Sequence, residues 1–313
     1  MIRVGPAGWS YPDSPGRVYP AGLPRRFDVL EYLSGYFDTI EINASFYAPQ
    51  PPRSYASWSR RVAGNPRFRF TAKLWQRFTH GPAPPGRVAV PREGKFEPWS
   101  SADVELVQEG LDVLRRDGRL GAVLAQFPWS FRALAPNLER LERLAADFAG
   151  WPLVVEVRHG SWADRRFALA LKRLGLGFCN VDQPVIGESL GPTAGATSQI
   201  GYVRFHGRRY DRWFDTREDA AERYDYLYSA EELVPWVERI RKVAGADGVT
   251  DVYVIMNNHY EGKGPANALM IRSLLEGRRV PCPPQLLATY REQLDRFVEV
   301  GNDEGSGRRT ERN

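Results

Sequence analysis

Cysteine, histidine and long apolar runs are scarce in this sequence. Its 313 residues include two cysteines, Cys179 and Cys282, and four histidines. Two cysteines supply neither a disulfide framework nor the paired spacing of a zinc knuckle, and Cys179 lies in an apolar run typical of a buried thiol. No apolar run approaches the roughly 18 residues that span a bilayer, and the first residues show no basic-then-apolar signal. We therefore expect a soluble protein of the reducing cytoplasm with no membrane partner.

Familiar catalytic signatures are also absent. The sequence contains no Gly-x-x-x-x-Gly-Lys-Ser/Thr phosphate loop, no Gly-x-Ser-x-Gly nucleophile elbow and no dinucleotide fingerprint. The net charge of +5 is mild, and arginine pairs such as Arg60-Arg61 and Arg208-Arg209 are scattered along the chain. We interpret these pairs as solvated surface, so nucleic acid is not the expected partner. A non-catalytic or nucleic-acid-binding protein stays as an alternative.

Strand-like apolar runs alternate with helix-prone runs over most of the chain, which is typical of βαβ units and a parallel sheet. Eight candidate strands lie at residues 3–9, 38–46, 67–74, 121–127, 152–158, 176–182, 200–206 and 251–257. Candidate helices lie at residues 27–36, 52–63, 101–117, 135–149, 163–174, 230–243 and 265–276. Ser101 and Ser229 are expected to cap the N-termini of two of these helices, and Gly118, Gly150 and Gly175 to serve as C-caps of three of them.

Eight strands joined by helices predict an α/β fold, a TIM-type (β/α)8 barrel. The sixth βα unit is expected to be irregular because residues 183–199 have poor helical periodicity. Residues 1–300 are predicted to form a single barrel domain, and the apolar-poor residues 301–313 a disordered C-terminal tail. Long polar loops are expected at residues 82–100 and 207–228, and the second is a candidate lid over a ligand.

The stretch over residues 37–47 indicates which strand face carries chemistry. Ile40 and Ile42 alternate with Glu41 and Asn43, so the two polar residues share one face of the strand. Burying an unpaired carboxylate against a layer of helices costs free energy. We therefore expect the face that carries Glu41 to point into a polar lumen. The same alternation recurs in six further predicted strands, where polar residues near the C-terminal end share one face. The residues that share a face are Thr71 with Lys73; Leu124 with Gln126; Val154 with Glu156 and Arg158; Asn180 with Asp182; Tyr202 with Arg204 and His206; and Tyr253 with Ile255 and Asn257. We predict that these groups face the lumen, at the end where barrel active sites lie.

The motifs of these strands resemble the YecE-like family, the domain of unknown function numbered 72. The matching segments are Gly8-Trp-Ser10, Phe37-Asp-Thr-Ile-Glu-Ile-Asn-Ala-Ser-Phe-Tyr47, Phe70-Thr-Ala-Lys73, Thr79-His80, Leu124-Ala-Gln-Phe-Pro128, Glu156-Val-Arg-His-Gly-Ser-Trp162, Val181-Asp-Gln-Pro184, Tyr202-Val-Arg-Phe-His-Gly-Arg208, Tyr224-Asp-Tyr226, Asn257-Asn-His259 and Asn267-Ala268. The resemblance implies a TIM-type barrel related to sugar isomerase barrels, and it implies no particular reaction.

Acid–base catalysis on a polar small molecule, such as a sugar or sugar phosphate, is the first hypothesis for the lumen. Glu156 or Glu41 would transfer a proton, with a pKa raised by burial or by a neighbouring carboxylate. Lys73 or His206 would stabilise an enolate-like oxygen, and Asp182 completes the catalytic candidates.

The remaining polar and aromatic residues are candidates for substrate binding. Arg158 and Arg204 would hold a carboxylate or phosphate, which makes an anionic ligand one option. Aromatic faces beside polar groups suit ring-shaped ligands, although large aromatic residues also cap barrels. The full set of substrate-binding candidates is Trp9, Asn43, Tyr47, Gln126, Arg158, His159, Arg204, Tyr226, Asn257, Asn258 and His259.

Two alternatives concern the same lumen. Glu41, Glu156, Asp182 and His206 carry donors that suit a divalent Mn, Mg or Zn ion, which makes a metal-dependent hydrolase or isomerase the second hypothesis. The nearby cations would oppose such an ion and no His-Glu-x-x-His motif is present, so no cofactor is predicted and no metal ligand is assigned. The charges could also form a purely structural network.

Overall fold

Eight parallel strands make up the central sheet of this computed structural model, which describes residues 1–23, 26–81, 98–210 and 224–301. The strands are β1 (Ile2–Pro6), β2 (Thr39–Ile42), β3 (Arg69–Lys73), β4 (Leu120–Gln126), β5 (Leu153–Glu156), β6 (Gly177–Asp182), β7 (Ile200–Phe205) and β8 (Asp251–Met256). Their order is β1-β8-β7-β6-β5-β4-β3-β2. With helices between the strands, this arrangement confirms the predicted TIM-type barrel.

The helices in the described residues are α1 (Val29–Ser34), α2 (Ala44–Tyr47), α3 (Pro52–Arg61), α4 (Ser101–Arg116), α5 (Ala135–Asp147), α6 (Arg165–Arg173), α7 (Ala230–Ala244), α8 (Lys263–Glu276), α9 (Pro284–Thr289) and α10 (Arg291–Leu294). All except α2, α9 and α10 follow the predicted positions to within a few residues. Ser229 caps α7 in a capping box, as expected, whereas α4 is capped by Ser100 rather than Ser101. In the described part of the chain, every helix is too short or too polar to traverse a lipid bilayer.

The sixth βα unit is irregular, as predicted. Residues 183–199, all of them described, contain no helix. Asn180 on β6 binds this loop instead: its Oδ1 accepts from Gly195 N at 2.8 Å and from Thr193 Oγ1 at 2.9 Å. The side-chain amide replaces part of the helix layer that covers the other strands.

Two parts of the chain differ from the expected elements. The second strand ends at Ile42 rather than at residue 46, and the one-turn helix α2 follows it. Beyond α8, the segment without an assigned element forms α9, α10 and a parallel pair of short strands, β9 (Val280–Cys282) and β10 (Val298–Val300). These short elements carry too few residues for a periodic pattern.

Some sequence-based expectations concern residues outside the described part of the chain. These are most of the tail at 301–313 and much of the loops at 82–100 and 207–228. The domain boundaries and the lid therefore stay predictions.

The barrel closes where β1 meets β2. Among the described residues, the two strands are joined by a single bridge between Ala7 and Glu41, where Gly8 N donates to Glu41 O at 2.8 Å. A Cβ on Gly5 would lie 1.8 Å from Thr39 O, so only glycine permits this close approach of the two backbones.

We predict that Gly5→Ala lowers the free energy of unfolding by about 3 kcal/mol or more, because the added methyl group meets backbone that cannot rotate away. Urea unfolding at pH 7 measures this effect. Gly64→Ala is the matched control, since a Cβ there meets no atom within 4 Å, and it should change stability by less than about 0.5 kcal/mol. Equal stability of the two variants would contradict this account of barrel closure.

Candidate active site

Arg204 lies at the centre of the lumen and is fully buried. Strand β7 projects its side chain inward, where acceptors surround the guanidinium. Nε and Nη2 donate to Glu41 at 3.1 and 2.7 Å, and Nη2 also donates to Asn257 Oδ1 at 2.9 Å. Nη1 donates to Gln126 Oε1 at 3.0 Å and to Glu156 Oε2 at 3.2 Å. All five N–H donors of an arginine are thereby used within the protein.

The residues around Arg204 form a buried polar layer, which we call the floor. It consists of Glu41, Thr71, Glu156, Tyr202, Arg204, His206 and Asn257, each at most 5% exposed. Tyr202 OH donates to Glu41 Oε2 at 2.9 Å and lies 3.0 Å from Thr71 Oγ1. Below the floor, apolar side chains such as Leu124, Val154 and Ile255 fill the barrel.

Glu156 is the most strongly coordinated carboxylate of the floor. Besides Arg204, it accepts from Arg158 Nε and from His206 Nε2, each at 3.0 Å. Burial alone would raise its pKa, but the charges of Arg204 and Arg158 and the hydrogen bond from His206 outweigh burial and hold the pKa of Glu156 well below its usual range. The raised pKa expected from the sequence is therefore wrong for Glu156, because the parity argument placed acids in the lumen without pairing them individually with arginines.

His206 is a neutral imidazole at physiological pH. Burial and the charge of Arg158 lower its pKa to about 3. The hydrogen bonds assign the tautomer: Nε2–H donates to Glu156, while Nδ1 accepts from Asn257 Nδ2 at 3.1 Å. Asn257 in turn is oriented by Arg204, so the imidazole is held from both sides.

Half-buried residues lie above the floor at the C-terminal face, and we call them the rim. They are Asn43, Lys73, Gln126 and Arg158. The register of β2 with β3 places Glu41 beside Thr71, and Asn43 and Lys73 lie two residues further along the chain from these two. Burial and the charge of Arg204 lower the pKa of Lys73 to about 7, although Glu41 and Glu156 oppose the shift. The Lys73 Nζ lies 3.9 Å from the centre of the Phe46 ring.

Aromatic rings flank the rim, and Tyr11, Phe46 and Tyr224 among them were not on the list of substrate-binding candidates. Tyr11 stacks on His259 with ring centres 4.3 Å apart, and Tyr224 follows at 5.1 Å from His259. On another side of the rim, the rings of His80 and Phe46 pack edge to face with their centres 5.2 Å apart. Burial lowers the pKa of His80 to about 3. Tyr11 and Tyr224 lie in loops where strand parity gives no signal. Phe46 lies in α2, which was expected to be strand.

Asp182 does not face the lumen, contrary to the expectation from strand parity. Cys179 and Val181 of β6 point inward instead, and Asp182 points to the helix layer. There its carboxylate accepts from Tyr228 OH at 2.6 Å and from Arg208 Nε at 2.9 Å, and it also binds the indole of Trp236 on α7. Dedicated partners offset the cost of a carboxylate on the outer face, which is why the parity rule fails for β6.

Three other predicted binding residues contact parts of the protein around the lumen rather than the floor or the rim. Trp9 packs on Trp58 of α3 with ring centres 5.4 Å apart. Tyr226 OH donates to Glu232, and Asn258 Nδ2 donates to Asn267 Oδ1 at 2.8 Å.

His159 and Tyr47 are also placed apart from the floor. His159 Nδ1 accepts from Ser161 N at 3.0 Å and its Nε2 faces Glu188, so it caps a turn after β5. Tyr47 is 44% exposed and packs edge-on against Phe46.

The donor set of the floor does not fit a divalent metal ion. Among the described residues, no three His, Cys, Asp or Glu side chains are grouped as a metal site. Arg204 occupies the position between Glu41 and Glu156 that a bridging cation would need, and Asp182 faces away. We therefore derive no step through a metal.

We predict that Arg204→Met lowers the free energy of unfolding by about 3–5 kcal/mol, because Glu41 and Glu156 lose the cation that compensates their burial. The control is Arg61→Met, which breaks a bidentate pair with Asp28 at a site more than a quarter exposed and should cost about 1 kcal/mol. Chemical denaturation at pH 7 compares the two. A cost for Arg204→Met no larger than the control would refute the central role of Arg204.

We also predict a pH signature for His206. Between its unfolded pKa near 6.5 and its folded pKa of about 3, the unfolded chain binds a proton that the folded chain does not. Stability therefore falls on acidification through this window, by up to about 1.4 kcal/mol per pH unit. His206→Gln should flatten the stability curve between pH 6.5 and 5 and leave its slope unchanged above pH 7.5. Parallel curves across the acidic window would rule out the buried neutral imidazole.

Comparisons with known proteins agree with this architecture. Residues 3–289 match the family described as "Protein of unknown function DUF72". UPF0759 protein YunF of Bacillus subtilis (strain 168) is 29% identical over 285 residues, which cover 88% of this chain and 95% of that protein. The crystal structure of a DUF72 family protein from Thermotoga maritima MSB8 is 32% identical with a TM-score of 0.72, covering 88% of this chain and 99% of the other.

A second solved structure, a DUF72 family protein from Enterococcus faecalis V583, shares 23% identity with a TM-score of 0.72. The match covers 88% of this chain and 96% of that one, and at this identity it supports the fold alone. The family match over nearly the whole length, together with the Thermotoga structure, is decisive. This chain belongs to the DUF72 family.

Proposed function

We propose that the protein is an acid–base enzyme, isomerase- or lyase-like, acting on a small polyhydroxy carbonyl compound of the sugar type at the C-terminal face of the barrel. The observation that carries the proposal is the state of Lys73. Its amine lies on the rim, above a floor whose charged groups are already paired. The amine is therefore the group placed to exchange a proton with a bound ligand.

The surroundings of Lys73 support this role. Among the described residues, its Nζ has no hydrogen-bond partner and no carboxylate oxygen within 4.0 Å, and its close contact is the Phe46 ring. With a pKa of about 7, the amine is divided between its neutral and charged forms at neutral pH. A group in this state can both accept and donate a proton, which is the requirement for general acid–base catalysis.

The floor supplies the electrostatic setting rather than the proton. Glu156 and Glu41 are bound to Arg204, and the low pKa of Glu156 makes it a poor acid at neutral pH. The two carboxylates favour the charged form of Lys73, while burial and the arginines favour the neutral form. These opposing effects hold the Lys73 pKa near neutrality.

Two amide groups on the rim favour a neutral hydroxylated ligand. Gln126 uses its oxygen to bind Arg204, which leaves its NH2 group as a donor toward the rim. Asn43 uses its NH2 group to bind Tyr11 OH at 3.2 Å, and its Oδ1 has no hydrogen-bond partner among the described residues. One donor and one acceptor near Lys73 match the hydroxyl groups of a sugar. Arg204, with its donors used, does not support the anchoring of a phosphate.

The test is deuterium exchange in D2O, followed by NMR, with a panel of aldoses, ketoses and their phosphates. The wild-type protein should exchange the C–H next to the carbonyl group of at least one compound. Lys73→Met should reduce that rate by about 100-fold or more, the usual contribution of a general acid–base group.

The matched control is Lys263→Met, because Lys263 is an ion-paired lysine bound to Asp225 and Glu261, and its loss should leave the exchange rate within about two-fold. Melting temperatures establish that both variants are folded. No exchange with any compound, or full exchange by folded Lys73→Met, would overturn the proposal.

A further inference from the structure

We propose that Lys73 is a nucleophile that forms a covalent imine with the carbonyl carbon of its ligand, an aldehyde or ketone bearing hydroxyl groups. The inference rests on the proposed function, and it adds a bond between enzyme and ligand that the proposed function does not need. Three features support this inference: the contacts of Lys73 Nζ, the position of the Phe46 ring, and the contacts of the other lysines in the chain.

Lys73 differs from the arginines of the site because its amine can lose a proton and act as a nucleophile. Arg204 and Arg158 are bound to carboxylates, and a guanidinium does not lose its proton in proteins. Only five of the 43 basic residues of the chain are lysines. Among the lysines that the structure describes, Lys73 is the one that a strand of the barrel projects onto the rim, whereas Lys263 is held by Asp225 and Glu261. No described residue forms a hydrogen bond with the Lys73 amine, so none of them engages the lone pair needed to attack a carbonyl carbon.

The contact between Lys73 and Phe46 is built into the backbone. Helix α2 follows β2 directly, and Ser45 Oγ donates to Lys73 O at 2.7 Å and lies 3.1 Å from Ile42 O. This hydroxyl ties the start of α2 to the end of β3, so the Phe46 ring is fixed under Nζ. A protonated imine carries a positive charge at that nitrogen, and an aromatic face stabilises such a charge without competing for its proton.

The reaction conserves atoms and charge without a redox partner. The neutral amine adds to the carbonyl carbon, forming a C–N bond as the C=O π pair moves to oxygen and is protonated. The nitrogen gives up one proton, and the resulting hydroxyl leaves as water after a further protonation. The balance is amine plus carbonyl plus one proton, giving a protonated imine plus water. The positive nitrogen then withdraws electrons from the adjacent C–H, whose proton passes to water, because the imine nitrogen no longer carries a lone pair that could accept it.

Reductive trapping tests the bond directly. The full-length protein is incubated at pH 7 with glyceraldehyde or dihydroxyacetone and sodium cyanoborohydride, which converts an imine into a stable secondary amine. Peptide mass spectrometry then gives the adduct fraction at each lysine. We expect Lys73 to carry at least about ten times the adduct of Lys263, because the Lys263 nitrogen is bound to Asp225 and Glu261 and is not free to attack a carbonyl carbon.

The comparison of lysines within the wild-type protein needs no substitution, so it does not depend on the folding of a variant. Lys73→Arg keeps the charge and should abolish the dominant adduct, whereas Lys263→Met should keep it. Adducts spread evenly over the lysines, or no adduct with either probe, would overturn the imine.

The outcome is separable from that of the proposed function. Deuterium exchange without a trapped adduct would leave the acid–base enzyme standing with Lys73 as a proton-transfer group, and the imine would be refuted. A dominant Lys73 adduct without deuterium exchange by any compound would support the nucleophile and refute the proposed proton transfer.

Discussion

The rest of the lumen depends on the hydrogen-bonded ion pairs of Arg204 with Glu41 and Glu156. Three fully buried charged groups are tolerable because each donor of the guanidinium meets an acceptor. Gln126, Asn257 and, through Asn257, His206 are oriented by the same guanidinium. The floor is therefore a polar layer whose charged groups are paired within the protein.

The floor and the rim differ in how their polar atoms are used. The floor provides a fixed electrostatic field. Its side chains already hydrogen-bond to one another, so a ligand would not hold them more firmly. The rim has the opposite character, since Lys73, Asn43 and Gln126 keep atoms that are not used within the described protein. A ligand that satisfies those atoms gains hydrogen bonds without breaking any of the floor, which favours binding.

The sequence predicted the barrel and most of the lumen because both depend on a regular alternation of side chains. Glu41, Lys73, Glu156, Arg204, His206 and Asn257 were all placed on the inward face by that alternation, and the structure brings them together. Asp182 was misplaced because three partners from distant segments satisfy its charge on the outer face. Tyr11, Tyr224 and Phe46 were not among the substrate-binding candidates, because their positions depend on loops and on a one-turn helix. The pKa of Glu156 depends on distances of about 3 Å between strands, which no pattern along one strand contains.

Glu41 has two roles at once. Its backbone carbonyl accepts the hydrogen bond from Gly8 that joins the first and second strands, and its carboxylate binds Arg204 on the opposite wall. The weakest seam of the barrel and its strongest electrostatic tie therefore share one residue. A substitution that altered the charge at this position would release Arg204 and leave the seam in place, because the backbone carbonyl of any residue can accept from Gly8 N.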